Sequence, residues 1–367
     1  MKLSDREWKP CKLSELGRVE SGKDIYVMER IEGDIPYVTS GSQNNGIGYF
    51  VANRNKTLDK GYIAFNRNGA VGLAFYHPYW SVMGNDCRKL HISKADENIY
   101  VGFFISTVIS MQSKSFSYSR KLGTARANKL QVMLPVDDND ELDYQFMEDY
   151  MKELMVAKRK QYQEYVEQRL AELGIDDVKN TEVWKYEVSF GNREWKDISI
   201  TSIFDKIKTG NINNASLYKK TTGYGIEYIG ATNKNNGCLY FIESSDRTNN
   251  LLQDGNCIGF IKDGDGSAGY SIYKRESFVS TVNVIYGYAN WLNEYTGLFF
   301  VSAQDLIKNK YSHGYKRNQQ HLRGDRVMLP VDDNGEPDFE FMEECGRKMI
   351  AKKYIQYLNF LKALETI

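Results

Sequence analysis

Val132-Met133-Leu134-Pro135-Val136-Asp137-Asp138-Asn139 recurs letter for letter as Val327-Met328-Leu329-Pro330-Val331-Asp332-Asp333-Asn334, 195 residues further along a chain of 367. Eight identical residues at that separation make the chain two copies of one unit. The repeat continues downstream, where Asp143-Tyr144-Gln145-Phe146-Met147-Glu148 matches Asp338-Phe339-Glu340-Phe341-Met342-Glu343. Beyond it, apolar pairs fall at one offset: Met147/Met342, Leu154/Met349, Met155/Ile350, Tyr162/Tyr357, Tyr165/Phe360 and Val166/Leu361. Within a copy that spacing traces one stripe of an α-helix. Gly174 is placed to end the first helix. A helix of about 30 residues is about 45 Å long. One narrow stripe on so long a helix calls for a partner helix, and each copy supplies one. Two ordinary core helices are the plainer alternative.

Upstream, each copy opens alike. Arg6-Glu7-Trp8-Lys9 leads to Ser21-Gly22-Lys23, and Arg193-Glu194-Trp195-Lys196 leads to Lys208-Thr209-Gly210. Each opening reads as an anchoring Trp, a short helix and a turn, with the Trp a packing residue. A strand–turn–strand signal follows at Ile35–Val38, Asn44-Asn45-Gly46 and Tyr49–Val51, and again at Ile226–Ile229, Asn235-Asn236-Gly237 and Tyr240–Ile242. Asn-Gly tolerates positive φ and is a strong turn signal. Further β-branched and aromatic runs at Tyr62–Phe65, Leu73–Tyr76, Cys257–Ile261 and Tyr270–Tyr273 are separated by glycines. The expected class is α+β, an internal repeat with approximate two-fold symmetry. A mostly-β domain spans 1–140, a helix 141–174, a polar linker 175–192, a second mostly-β domain 193–335 and a second helix 336–367.

Composition narrows the class. Lys+Arg and Asp+Glu both number 48, so any affinity for a polyanion must come from local patches. No run of 18 apolar residues exists to span a membrane. The start, Met-Lys-Leu-Ser-Asp-Arg-Glu-Trp, lacks an apolar signal core, and the five cysteines are scattered without a CxxC. Both predict a cytoplasmic protein with reduced, buried thiols.

Three motif matches fail on context. Gly17–Lys23 resembles a phosphate-binding loop, but Asp24 stands where Ser or Thr is needed and no strand precedes it. Gly264–Gly269 fits GxGxxG, yet Tyr270-Ser271-Ile272-Tyr273 continues as a strand rather than the helix a pyrophosphate requires. Asp263, Asp265 and Ser267 begin like a calcium loop, but Lys274 occupies the position of its Glu. The four histidines show no paired spacing. No catalytic constellation emerges, and a binding role is expected.

The positive signal is electrostatic and also repeated. Residues 98–136 contain no acid but hold Lys114, Arg120, Lys121, Arg126 and Lys129. Residues 306–324 contain none either, and hold Lys308, Lys310, Lys316, Arg317 and Arg323 beside His313 and His321. Tyr118 and Tyr315 lie among the charges, with amides at Asn128 and Asn318-Gln319-Gln320. Basic groups contact phosphates, while Arg, Asn and Gln read purine edges. A solvated basic loop is the bland alternative. Its occurrence twice, at matching positions before the octapeptide, favours DNA.

With these features the chain resembles the specificity subunits of type I restriction-modification systems and of BcgI-like type IIB systems. The resemblance rests on the alternation of domain and long helix, and on Glu194-Trp195-Lys196 with Ile203–Gly210. It rests also on Ile229-Gly230-Ala231-Thr232 before Asn235-Asn236-Gly237, and on the Leu-Pro-Val segments before the helices. The first copy departs from it with Val38-Thr39-Ser40-Gly41.

The resemblance implies that each mostly-β half is a target-recognition domain reading one half of a split, asymmetric double-stranded DNA target. It implies that the helices pair as an antiparallel coiled coil and that two methyltransferase subunits dock on them, through Met147, Leu154, Tyr162, Met349, Tyr357 and Leu361. It implies no catalytic residue, no metal and no cofactor in this chain. S-adenosylmethionine comes with the methyltransferase subunits, and ATP and Mg2+ with a restriction/translocase subunit where one joins. The residues expected at the first half-site are Arg120, Lys121, Arg126 and Asn128. Those expected at the second are Lys316, Arg317, Asn318, Gln319 and Arg323. Arg67-Asn68 and Lys262-Asp263, in matching turns, are second-choice contacts. The octapeptide itself, apolar and acidic, reads no bases and fits a structural hinge. A stand-alone sequence-specific DNA-binding protein is the alternative.

Overall fold

The computed structural model describes residues 1–93, 97–117, 119–175, 186–191, 193–211, 218–221, 223–264, 266–312 and 314–365. Most of the expected linker 175–192 lies outside them, as do Tyr118, Asp265 and His313. The chain divides into two compact units, Met1–Glu164 and Tyr165–Ile367.

The first unit runs β1 (Glu7–Lys12), α1 (Leu13–Leu16), β2 (Val19–Ser21), β3 (Glu32–Val38), β4 (Ile47–Val51), β5 (Tyr62–Asn66), β6 (Ala74–His77), β7 (Val82–Met83) and β8 (Cys87–Leu90). It continues with α2 (Ile99–Met111), α3 (Thr124–Ala127) and β9 (Gln131–Val136), and enters the long α4 (Tyr144–Glu172). A four-stranded sheet has the order β2-β8-β5-β6, and a three-stranded sheet the order β4-β3-β7 with β3 and β7 parallel.

The second unit repeats the plan. It runs β10 (Trp195–Ser199), β11 (Lys206–Thr209), β12 (Lys220–Thr221), β13 (Ile226–Ile229), β14 (Cys238–Ile242), α5 (Asp246–Asn249), β15 (Cys257–Ile261), β16 (Ser271–Lys274), β17 (Phe278–Ser280) and β18 (Val284–Tyr288). It ends with α6 (Glu294–Gln304), α7 (Gln319–Arg323), β19 (Arg326–Pro330) and α8 (Phe339–Glu365). Its sheets are β11-β18-β15-β16 and β12-β14-β13-β17.

The octapeptide is a strand in both units. β9 pairs antiparallel with β1 over Glu7↔Val136 to Lys12↔Gln131, and β19 pairs with β10 over Trp195↔Pro330 to Ser199↔Arg326. Each opening Trp therefore lies on a strand, and the short helix expected after it is α1 in the first unit and a single 3-10 turn, Ile200–Ser202, in the second. The packing role of the Trp holds: Trp8 stacks on Phe104 at 6.0 Å and Trp195 on Phe299 at 6.3 Å. Along β9 and β19 the pleat sends alternate side chains to opposite faces. Val132, Leu134, Val327 and Leu329 are buried while Met133 and Met328 are exposed. The acidic end then makes a turn. Asp137 accepts from the amides of Asn139 and Glu141, at 2.9 and 3.0 Å, and Asp332 from those of Asn334 and Glu336 at the same distances. These amides hold both carboxyls below the usual range.

The helices α2 and α6 were not expected, since neither stretch gathers its polar residues on one face. Asn98 and Asn293 cap them by accepting two backbone amides each. Glycine lets both helices press onto the sheet. A Cβ at Gly102 would lie 2.3 Å from the Tyr76 ring, and one at Gly297 2.3 Å from the Tyr273 ring. The same caps tie each unit to its long helix, for Asn98 donates to Glu148 and Asn293 to Glu343, both at 2.7 Å.

The expected stripe on the long helices divides into segments. Met147 and Met342 are fully buried in the core of their own unit, so Met147 is not an outward docking residue as expected. Leu154, Tyr162 and Met349 are exposed, and Tyr357 and Leu361 are half-buried. Within the second unit, Val166 and Leu170 from the end of α4 pack with Ala351, Ile355 and Leu358 of α8. Arg169 there bonds both oxygens of Glu294 at 2.7 Å.

Candidate nucleic-acid interface

In each unit the fold brings three separate stretches of sequence together. The turn after β5 carries Arg67 and Asn68, and the backbone amide of Leu122 donates to the Arg67 carbonyl at 3.2 Å. The turn after β15 carries Lys262 and Asp263, and the amide of Arg317 donates to the Lys262 carbonyl at 2.9 Å. The end of β2 joins through Ser21, whose hydroxyl is 3.3 Å from that of Thr124. The end of β11 joins through Thr209, which accepts from Gln319 at 3.0 Å. The second-choice turns and the first-choice basic loops of the sequence reading are thus neighbours in both units.

Around the first loop, Arg120 and Arg126 are exposed and Lys121 and Asn128 half-buried. Arg126 donates to the Lys121 carbonyl, and Asn128 closes α3. Asn68 is half-buried, with a side-chain oxygen enclosed and lacking a hydrogen-bond donor among the described residues.

Around the second loop, Lys316 is exposed and pairs with Asp263 at 2.6 Å. Asn318 caps α7 by accepting from the His321 amide at 2.8 Å, so its carbonyl oxygen is committed to the backbone. Gln319 and Arg323 lie exposed on α7 and line a small pocket with Thr201, Ile207 and Leu322. The Tyr315 ring stacks between Tyr311, at 5.7 Å, and His321, at 4.2 Å.

Arg317 departs from expectation. It is fully buried, its Nε donates to Asp325 at 2.9 Å, and its Nη1 reaches the Gly269 carbonyl at 3.2 Å. Its guanidinium lies over the Phe260 ring at 4.6 Å. Asp325, equally buried, also accepts from Lys310 at 2.9 Å and from the Tyr311 hydroxyl at 2.5 Å. Arg317 cannot reach a base edge from there; it fastens the loop to the core.

The sequence reading missed Arg88. It lies on β8, is 7% exposed, and donates from Nε to Thr124 Oγ1 at 2.7 Å and from Nη1 to the carbonyls of Asn85 and Cys87 at 2.8 and 2.7 Å. Its place below the loop depends on pairing of β5 with β8, which no local pattern reveals. Among the described residues no group of His, Cys, Asp and Glu could hold a metal ion. The buried thiols Cys11 and Cys345 are pushed up to about 11 by burial, and Cys87 and Cys257 to about 12, which leaves them poor nucleophiles.

The family model described as type I restriction modification DNA specificity domain matches twice, over residues 5–164 and 192–358. The chain is similar to the type II restriction enzyme BgcI specificity subunit S.BcgI of Heyndrickxia coagulans, at 32% identity over 149 residues. That match covers 41% of this chain and spans 44% of the relative's length. Among solved structures it is similar to a type I restriction-modification S subunit from M. genitalium, with TM-score 0.47 and 15% identity over 100% of this chain and 95% of that one. It is also similar to the HsdS subunit from Thermoanaerobacter tengcongensis, with TM-score 0.31 and 10% identity over 96% and 91% of the two chains. With both of its units covered by that family model, the chain belongs to the type I restriction-modification DNA specificity family.

Proposed function

We propose that this chain is the sequence-reading subunit of a restriction-modification complex. Each unit recognises one half of a bipartite, asymmetric DNA target, and methyltransferase subunits dock on the long helices. The observation that carries this reading is the same three-stretch loop cluster built twice, on one scaffold, with different side chains. Lys121, Arg126 and Asn128 present one pattern of donors and acceptors; Lys316, Gln319 and Arg323 present another. Two different readers imply two different half-sites.

The long helices pair as an antiparallel coiled coil and act as the spacer. The packing of Val166 and Leu170 on Ala351, Ile355 and Leu358 supports that pairing. The exposed Leu154, Val156, Tyr162 and Met349 are the docking residues for the methyltransferase subunits. S-adenosylmethionine is brought by those subunits, and ATP and Mg2+ by a restriction/translocase subunit where one joins. This chain holds and orients the duplex and performs no bond-breaking step.

Sequencing of methylated bases in cells with and without the gene tests the reading. A bipartite methylated motif that disappears with the gene is expected. Duplex binding by the chain with no gene-dependent methylation would favour the stand-alone DNA-binding protein instead.

A further inference from the structure

We infer that the two units divide the electrostatic work: the first is the phosphate anchor, centred on Arg67 with Arg88 behind it, and the second contributes less net charge to binding. The inference rests on the DNA-reading function proposed above.

In the first unit two guanidinium groups converge on one atom. Arg67 Nη1 and Arg88 Nη1 both donate to the Asn85 carbonyl, at 3.3 and 2.8 Å. Like charges so placed repel, the more so where the surroundings are poorly hydrated. Arg88 is held below the ordinary arginine range by burial and then by the charge of Arg67. Compensation is thin. Asp86 lies 3.9 Å from Arg67 and is half exposed, and Asp24 accepts the Asn85 amide at 2.8 Å. The other groups bonded to Arg88 are neutral oxygens. Arg67, with its side chain 28% exposed, is the group an anionic oxygen can reach. Around it, among the described residues, no ion pair engages Arg120, Arg126 or Lys129.

The second unit inverts each of these features. Ile285 occupies the register of Arg88, since Phe65 faces Arg88 across β5–β8 and Phe260 faces Ile285 across β15–β18. Asp263 neutralises Lys316 at 2.6 Å, and Asp325 engages both Lys310 and Arg317 at 2.9 Å. Lys308 lies over the Tyr270 ring at 4.6 Å. Among the described residues Arg323 and Lys262 are the remaining cations without an ion pair here, and the rest of this surface is chiefly amide, hydroxyl and ring.

The salt dependence of duplex binding by the full chain tests this, because each phosphate contact contributes about 0.9 to the slope of log affinity against log salt. Arg67→Ala and Arg120→Ala should each lower the slope by about one. Lys310→Ala and Lys316→Ala should leave it nearly unchanged, and Asp263→Asn, which releases Lys316, should raise it. Arg88→Ile, the second unit's own residue, should weaken binding at low salt several-fold. The exposed Arg120→Ala keeps the test decisive should Arg88→Ile fail to fold. Equal slope losses from the two units, or a larger loss from the second, would overturn the inference while leaving DNA reading intact. A wild-type chain showing no salt-sensitive duplex binding would overturn both.

Discussion

At the scale of residues, the two units solve the same packing problems with different chemistry. Phe116, Leu122 and Leu130 in the first stand 195 positions before Tyr311, Arg317 and Asp325 in the second. The equivalence is structural as well. Leu122 and Arg317 donate to matching carbonyls, and Leu130 and Asp325 accept the amides of Leu13 and Ile200 at 3.0 Å. A buried ion pair is costly to break and cheap to replace as a whole. Arg317→Leu alone should therefore destabilise the second unit by about 3–5 kcal/mol. Arg317→Leu with Asp325→Leu and Tyr311→Phe should restore most of it, as denaturant unfolding can measure. No such recovery would mean the network does more than fill space.

His77 in the first unit likewise occupies the register of Lys274 in the second, opposite Tyr62 and Cys257 respectively. Lys274 has Glu227 as partner. His77 is enclosed, and burial holds it down to about 4. Its neutral form is the native one, so between that value and the usual 6.5 the unfolded chain binds more protons. Stability rises with pH across that window and is lost as pH falls through it, by at most about 3 kcal/mol. Melting temperature should drop from pH 7 to pH 5, and His77→Gln should flatten that drop. An unchanged pH profile in His77→Gln would count against the assignment.

Arg317 shows why such detail stays hidden in a linear reading. It lies in an acid-free run of Lys, Asn and Gln that reads as solvated, and the run ends at Gly324, one residue before its buried partner.

At the scale of elements, the octapeptide is legible as a repeat but not as a strand. Pro135 and Pro330 argue against a sheet interior, yet each sheet of this kind has only two strands, so every strand is an edge. The pleat gives the test. Leu134→Ala leaves a cavity beside α2 and should cost about 2–5 kcal/mol, whereas exposed Met133→Ala should stay within about 0.5 kcal/mol. Comparable losses at both positions, by thermal melting, would contradict the strand's orientation.

The turns were legible because Asn-Asn-Gly needs positive φ, and Asn45 and Asn236 have it, at 52° and 49°. The hairpins around glycine were legible for the same reason. The helices α2 and α6 were not, because neither gathers its polar residues on one face. The long helices were legible in position and length, but their stripe mixes residues with three different fates. Met147 serves the unit's core, Val166 serves helix–helix packing, and Leu154 faces solvent.

At the scale of the whole molecule, the duplication is the functional statement. One scaffold carries two loop clusters, and the clusters present different side chains. The sequence shows both basic loops and their place before each octapeptide. It does not show that Asp263 and Asp325 neutralise one of them, because those acids belong to a separate turn and to the start of β19. The central claim is that each unit reads its own half of one target. The most direct measurement is the methylated motif in cells carrying Arg126→Ala or Gln319→Ala in place of the native chain. Arg126→Ala should relax base preference in one half-site only and Gln319→Ala in the other only, with the spacing unchanged. Relaxation of both halves by either variant, or a motif indifferent to both, would contradict it.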